Sequence, residues 1–121
     1  ASFDLGNLPF ISKIAQKKLP VVISTGGGNL DDVKASVHIL KEHIDDVSVL
    51  HCVSEYPCPA DRLGLSTIQS YITEFPDCRI GSSDHFNGIL SGLFKISAAS
   101  LIFYSSSSES LIFFLVSVLL A

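Results

Sequence analysis

Three short runs rich in β-branched and apolar residues, Val21-Val22-Ile23, Val47 to Cys52 and Arg79-Ile80-Gly81-Ser82, are separated by segments with helical periodicity. Their starts lie 26 and 32 residues apart, close to the roughly 30 residues of a strand–helix–strand unit. Parallel strands need a long crossover, which a helix supplies, so alternation at this interval predicts a parallel sheet. The fold class is therefore α/β, either an open doubly wound sheet or part of a (β/α)8 barrel. A complete barrel takes about 250 residues. With 121 residues the chain has room for less than half of one.

The helical segments carry their own signals. Asn7 is an expected N-cap with Pro9 in the first turn, and Leu8, Ile11, Ile14 and Ala15 form an apolar face. Lys17 and Lys18 suit the C-terminal end of that helix, where cations complement the dipole. Asn29 is expected to cap a second helix whose apolar positions are Leu30, Val33, Val37, Leu40 and Ile44. A third helix is expected from about Gly64 to Phe75, with Leu65, Ile68, Ile72 and Phe75 facing inward. The opening Ala1-Ser2-Phe3-Asp4 lacks the basic and apolar regions of a signal peptide and reads as the end of a strand.

In parallel α/β folds, chemistry collects at the carboxyl ends of the strands. Those positions hold Ser2 and Asp4, then Ser24 and Thr25, then His51, Cys52, Ser54 and Tyr56, then Ser82, Ser83, Asp84 and His85. Ser24-Thr25 followed by Gly26, Gly27 and Gly28 and a helix start suits a phosphate, through backbone N–H groups, hydroxyls and the helix dipole. The alternative is a tight turn that needs positive φ. The motif is neither a Walker A loop nor a dinucleotide fingerprint, because no Gly-Lys-Ser/Thr follows and Asp31 occupies the last glycine's place. His85 beside Asp84 has three readings: divalent-metal ligand, general base, or hydrogen-bonded loop residue. His51 lies deeper in its strand and reads as a core histidine, and His38 and His43 as solvated helix positions. Cys52 and Cys58 are poorly spaced for structural zinc: Cys52 reads as core filler, Cys58 and Cys78 as loop residues without a role. Asp31-Asp32 and Asp45-Asp46 read as helix-terminus and surface charges.

Composition divides the chain. Seven of the eight Lys/Arg and eleven of the twelve Asp/Glu fall in residues 1–88, whereas residues 89–121 hold 21 apolar residues and nine Ser. The net charge of −4 provides no basic stripe for nucleic acid. Three cysteines, an odd and sparse set, point to a reducing, cytoplasmic setting rather than a disulfide scaffold. The stretch Leu111 to Ala121 is far short of the ~20 residues of a membrane span, and joining it to 97–104 would bury Glu109. A membrane role is disfavoured. The expected division is 1–92 as a partial barrel domain and 93–121 as an atypical hydrophobic, Ser-rich tail. A shifted reading frame or an unspliced intron would explain the break, and ordinary packing helices are the alternative.

Three phrases together are specific: Val21-Val22-Ile23-Ser24-Thr25-Gly26, Leu50-His51-Cys52-Val53-Ser54-Glu55-Tyr56-Pro57 and Ile80-Gly81-Ser82-Ser83-Asp84-His85. Their order and spacing resemble the sialic acid synthase family, the phosphoenolpyruvate-dependent N-acetylneuraminate synthases with their legionaminic and pseudaminic acid relatives. Ala1-Ser2-Phe3-Asp4-Leu5 with Asn7-Leu8-Pro9 resembles the stretch just upstream, and the likeness runs to about residue 92.

The resemblance implies a (β/α)8 TIM barrel, of which this chain covers about strands four to seven, and condensation of phosphoenolpyruvate with an N-acetylated amino sugar. It implies a divalent metal, Mn or Mg, and a homodimer in which a C-terminal domain covers the partner's barrel. It places Ser2, Ser24 and Ser83 around the phosphate and carboxylate of phosphoenolpyruvate, Tyr56 against the sugar and His85 on the metal, with Thr25, Gly26 and Ser54, where members carry Asn or Ser, among the substrate-binding residues. Family lysines that hold phosphoenolpyruvate and a second metal-binding histidine have no counterpart here, and no catalytic residue is assigned. The chain alone is expected to be inactive. Two alternatives stand beside this: a non-catalytic α/β remnant and a small phosphate-metabolite-binding module.

Overall fold

The computed structural model describes residues 1–87, so the tail expected at 93–121 lies outside the described residues. Three strands, β1 (Val21–Ser24), β2 (Val47–Cys52) and β3 (Arg79–Ser83), form one sheet in the order β1-β2-β3. Both pairings are parallel, with Val21 opposite Val47 and Ser48 opposite Arg79. The expected strands, their order and their direction are all present.

Three helices connect and flank them: α1 (Leu8–Ala15), α2 (Leu30–Lys41) and α3 (Ser66–Glu74). Their apolar faces meet one side of the sheet in a single core. Ile11 and Ala15 of α1, Val33, Val37 and Leu40 of α2, and Tyr71 of α3 with Phe75 pack with Ile23, Val47 and Val49. Because side chains alternate along a strand, the core takes Val21, Ile23, Val47, Val49 and Ile80 and leaves Val22, Ser24, Ser48 and Leu50 on the opposite face. Val22 is 65% exposed. The helices thus cover one face of the sheet.

Local chemistry explains the helix ends. Asn29 Oδ1 accepts from the backbone N–H groups of Asp31 and Asp32 at 2.9 and 3.0 Å, and Asp32 Oδ2 accepts from Asn29 N at 2.9 Å. This reciprocal capping box fixes where α2 begins. The α-helix stops at Lys41 rather than reaching Ile44, yet Ile44 stays in the core through a final turn in which its N–H donates to Leu40 O. α1 likewise ends at Ala15, and Lys18 takes φ +54 in the turn that follows. α3 begins two residues after Gly64, whose φ of +56 suits a glycine.

The opening residues correct one expectation. Ser2–Asp4 is a 3₁₀ turn, not a strand end. Asp4 N donates to Ala1 O and Leu5 N to Ser2 O, which turns the chain inward so that Leu5 is buried. The fully buried Ser36 hydroxyl of α2 then donates to Leu5 O at 2.6 Å. The chain start is thereby tied to α2 instead of joining the sheet.

Two outcomes follow for stability. Leu40 is fully buried at the centre of the core, so Leu40→Ala is expected to cost about 2–5 kcal/mol, read as a lower urea midpoint at unchanged slope. Ser36→Ala leaves Leu5 O without its donor and is expected to cost about 1–3 kcal/mol, measured in the same way.

Candidate functional site

Because all three strands run in parallel, their carboxyl ends share one edge of the sheet. Ser24 ends β1, Cys52 ends β2, and Ser83 ends β3 directly opposite Cys52 in register. The loops leaving these ends bring Gly26, Ser54, Tyr56 and His85 to the same edge, and the opening turn adds Ser2.

Ser2 links the opening turn to β1. Its Oγ donates to Ser24 Oγ at 3.0 Å and accepts from Gly26 N at 3.2 Å. The Ser2 proton and one of its lone pairs are therefore committed, which leaves the Ser24 proton to be donated elsewhere. Gly26 is a glycine because of crowding. A Cβ there would lie 2.5 Å from Ser54 Oγ and 2.9 Å from Cys52 Sγ, and one at Gly27 would lie 2.5 Å from Ser2 O. The segment is a tight turn, closed by Gly28 N donating to Thr25 O at 3.3 Å, but neither glycine has positive φ, and close approach of three chain segments is what requires them.

Thr25 is placed differently. Its side chain is buried, its Oγ1 donates to Leu50 O at 3.0 Å, and its N–H donates to the same carbonyl at 3.1 Å. It extends the β1–β2 ladder and faces the sheet. The start of α2 also departs from the anion-binding expectation. Two of its N–H groups are satisfied by Asn29, and the carboxylates of Asp31 and Asp32 stand in its first turn. An anion finds those donors engaged and negative charge nearby.

On the other side, His85 is held by the loop after β2. Its Nδ1 lies 2.8 Å from Val53 O and 3.9 Å from Cys52 Sγ. Its carbonyl accepts from Cys58 N at 2.9 Å. The Tyr56 ring lies over the imidazole, with centroids 4.0 Å apart and planes inclined by 35°. The exposed pair Arg62–Glu55, at 3.3 Å, braces the same loop. Asp84 Oδ1 accepts from the backbone N–H of Phe86 at 3.0 Å.

A carbonyl oxygen only accepts, so the bond to Val53 puts the His85 proton on Nδ1 and leaves the Nε2 lone pair for a cation or a proton donor. That suits His85 as one metal ligand. Among the described residues no group of three His, Cys, Asp or Glu side chains is placed to hold a metal ion.

Other candidates sort away from this edge. His51 is buried near Tyr71, at 6.5 Å between ring centroids, as expected of a core histidine. His38 is exposed beside Glu42, and Asp46 pairs with Arg79 at 2.9 Å. Burial pushes the Cys78 thiol above its ordinary pKa, with Lys41 opposing and Asp77 adding to the shift, which lowers its reactivity. None of the three cysteines forms a disulfide. Sequence reasoning missed the Val53 carbonyl and the place of Cys52 beside His85. Only the register of Cys52 opposite Ser83, two residues before His85, would have indicated the latter.

Comparison with known proteins fits this arrangement. The sequence profile of the NeuB family matches residues 1–101, past the boundary expected at residue 92. Human N-acetylneuraminate-9-phosphate synthase is 38% identical over 88 residues, which cover 73% of this chain and 24% of the human protein. The N,N'-diacetyllegionaminic acid synthase of Campylobacter jejuni is 33% identical over 91 residues, covering 73% of this chain and 27% of that protein. The crystal structure of N-acetylneuraminic acid (sialic acid) synthetase from Leptospira borgpetersenii, in complex with citrate, superposes with a TM-score of 0.74 at 31% identity. That match covers 80% of this chain and 34% of the other. The chain spans about a quarter of the length of the curated relatives it matches. With the family profile running over most of its length, and its three parallel strands matching part of the family's TIM-barrel enzymes, the chain belongs to the NeuB family of sialic acid synthases.

Proposed function

We propose that this chain carries part of the substrate edge of a synthase that condenses phosphoenolpyruvate with an N-acetylated amino sugar to a nine-carbon, sialic-type acid. In this reading residues 1–92 correspond to the end of the fourth barrel strand through the seventh. The opening turn stands where the fourth strand would end. The observation that carries the proposal is the gathering of Ser2, Ser24, Ser54, Tyr56, Ser83 and His85 at one carboxyl edge of a parallel sheet.

The residues divide the work. Phosphoenolpyruvate brings dense negative charge. Ser24, with its proton left over by the Ser2 contact, donates to one of its oxygens, and Ser83 donates from the neighbouring strand end. Thr25 and Gly26 hold the strand end in place rather than contact the ligand. Tyr56 and Ser54, on the loop after β2, face the sugar, and His85 offers Nε2 to the divalent cation that the family generally uses. That cation, when bound, supplies Lewis acidity at the sugar carbonyl that the enol carbon attacks. Water and loss of phosphate complete the reaction.

The 121-residue chain alone is expected to be inactive. Its described residues offer phosphoenolpyruvate hydroxyls and backbone dipoles, which are weaker than charge-assisted bonds, and they offer a metal one histidine where three protein ligands are usual even in open zinc sites. Given Mn, phosphoenolpyruvate and N-acetylmannosamine, it should release no phosphate above background. Turnover abolished by His85→Ala would overturn this. Phosphoenolpyruvate binding, followed by broadening of its phosphorus resonance, should be weak and should fall about tenfold or more in Ser24→Ala, the effect of losing one hydrogen bond to a charged group, about 1.5–3 kcal/mol. Equal binding by wild type and Ser24→Ala would remove Ser24 from the site.

A further inference from the structure

We propose that the loop from Val53 to Cys58 is a positioning clamp that fixes the tautomer of His85, with the Val53 carbonyl holding the proton on Nδ1 and the Tyr56 ring holding the imidazole plane. The inference rests on the proposed function only in giving Nε2 a task. The clamp itself stands on geometry.

Three contacts from one short loop converge on one residue. Val53 O takes the Nδ1 proton at 2.8 Å, Cys58 N binds the His85 carbonyl at 2.9 Å, and the Tyr56 ring covers the imidazole at 4.0 Å. The first sets which nitrogen is protonated, the second sets where the backbone of His85 sits, and the third limits rotation about the Cβ–Cγ bond. The Cys52 thiol, at 3.9 Å from Nδ1, is the competing partner, but a weaker and more distant one than a carbonyl.

Tyr56 is 73% exposed. An aromatic placed for core packing would be buried, as Tyr71 is at 5% exposure. Tyr56 instead lays its ring on His85 while most of its surface meets solvent. It therefore acts as a positioning residue through His85, whatever the phenol itself contacts. If the ring were removed, the imidazole would be free to turn, the bond to Val53 O would be made part of the time, and protonation on Nε2 would compete. A lone pair shared between two nitrogens is a poorer ligand or acceptor at either one.

The test uses the full chain labelled with nitrogen-15, at a pH well above the ordinary imidazole pKa of about 6.5. Long-range proton–nitrogen correlation spectra report each ring nitrogen as protonated or bare, and His85→Gln assigns the signals. In the wild type Nδ1 should be protonated and Nε2 bare. Tyr56→Phe should keep that pattern because the ring remains. Tyr56→Ala and Tyr56→Leu should both move the two nitrogen signals towards each other as the Nε2–H form becomes populated. A wild-type His85 protonated on Nε2 would overturn the proposal, as would Ala and Leu variants indistinguishable from wild type. The exposed position of Tyr56 spares the fold, and an unchanged circular dichroism spectrum checks it. Loss of the phosphoenolpyruvate effect at Ser24 with the tautomer pattern intact would sink the functional reading and leave the clamp. The reverse result would sink the clamp alone.

Discussion

Parallel pairing of β2 with a strand on each side is the constraint from which the rest follows. Val49 is completely buried, with Ile23 and Ile80 beside it in register. Slipping either neighbour by one residue would exchange the apolar face for Val22 and Ser24 or for Arg79 and Gly81. The core therefore holds the register, and the register holds the strand ends level. Ser24, Cys52 and Ser83 share an edge because Val21, Val47 and Ile80 must share a face.

The opening turn joins this frame from outside the sheet. Leu5 enters the core and its carbonyl meets Ser36 of α2, so Ser2 is carried to the end of β1 by an anchor on a helix. A buried hydroxyl bound to a buried carbonyl is costly to leave half-made, which gives a short, turn-forming segment a fixed place. The Ser2–Ser24–Gly26 contacts are the result.

Much of this was legible in the residues. β-branched runs separated by amphipathic segments announced strands and helices, and Asn29 with Asp32 announced a helix start that the capping box supplies. Where structure and expectation part, contacts distant in sequence decide. Ser2–Asp4 reads as a strand end, but the burial of Leu5, a tertiary matter, turns it. Thr25 is polar and sits beside Ser24, yet one residue along a strand reverses the face, and its hydroxyl went to Leu50 O. The start of α2 looked open to an anion, although Asn29, named as its cap, is the residue that engages its donors. Gly26 and Gly27 signalled a special backbone, and only coordinates distinguish crowding from positive φ. The carbonyl of Val53 has no sequence signature at all.

The missing side chain at Gly26 has a mechanical meaning. The space that a Cβ would take is occupied by Ser54 and Cys52, which flank Val53, the residue that holds His85. The loop after β1 and the loop after β2 thus lean on each other with no slack between them. A side chain added at Gly26 would first displace the Ser54 hydroxyl and the Cys52 thiol, the two groups on either side of the residue that makes the His85 contact. The two halves of this edge are therefore in direct contact: the Ser54 hydroxyl and the Cys52 thiol lie between the glycine turn and the segment that holds the imidazole.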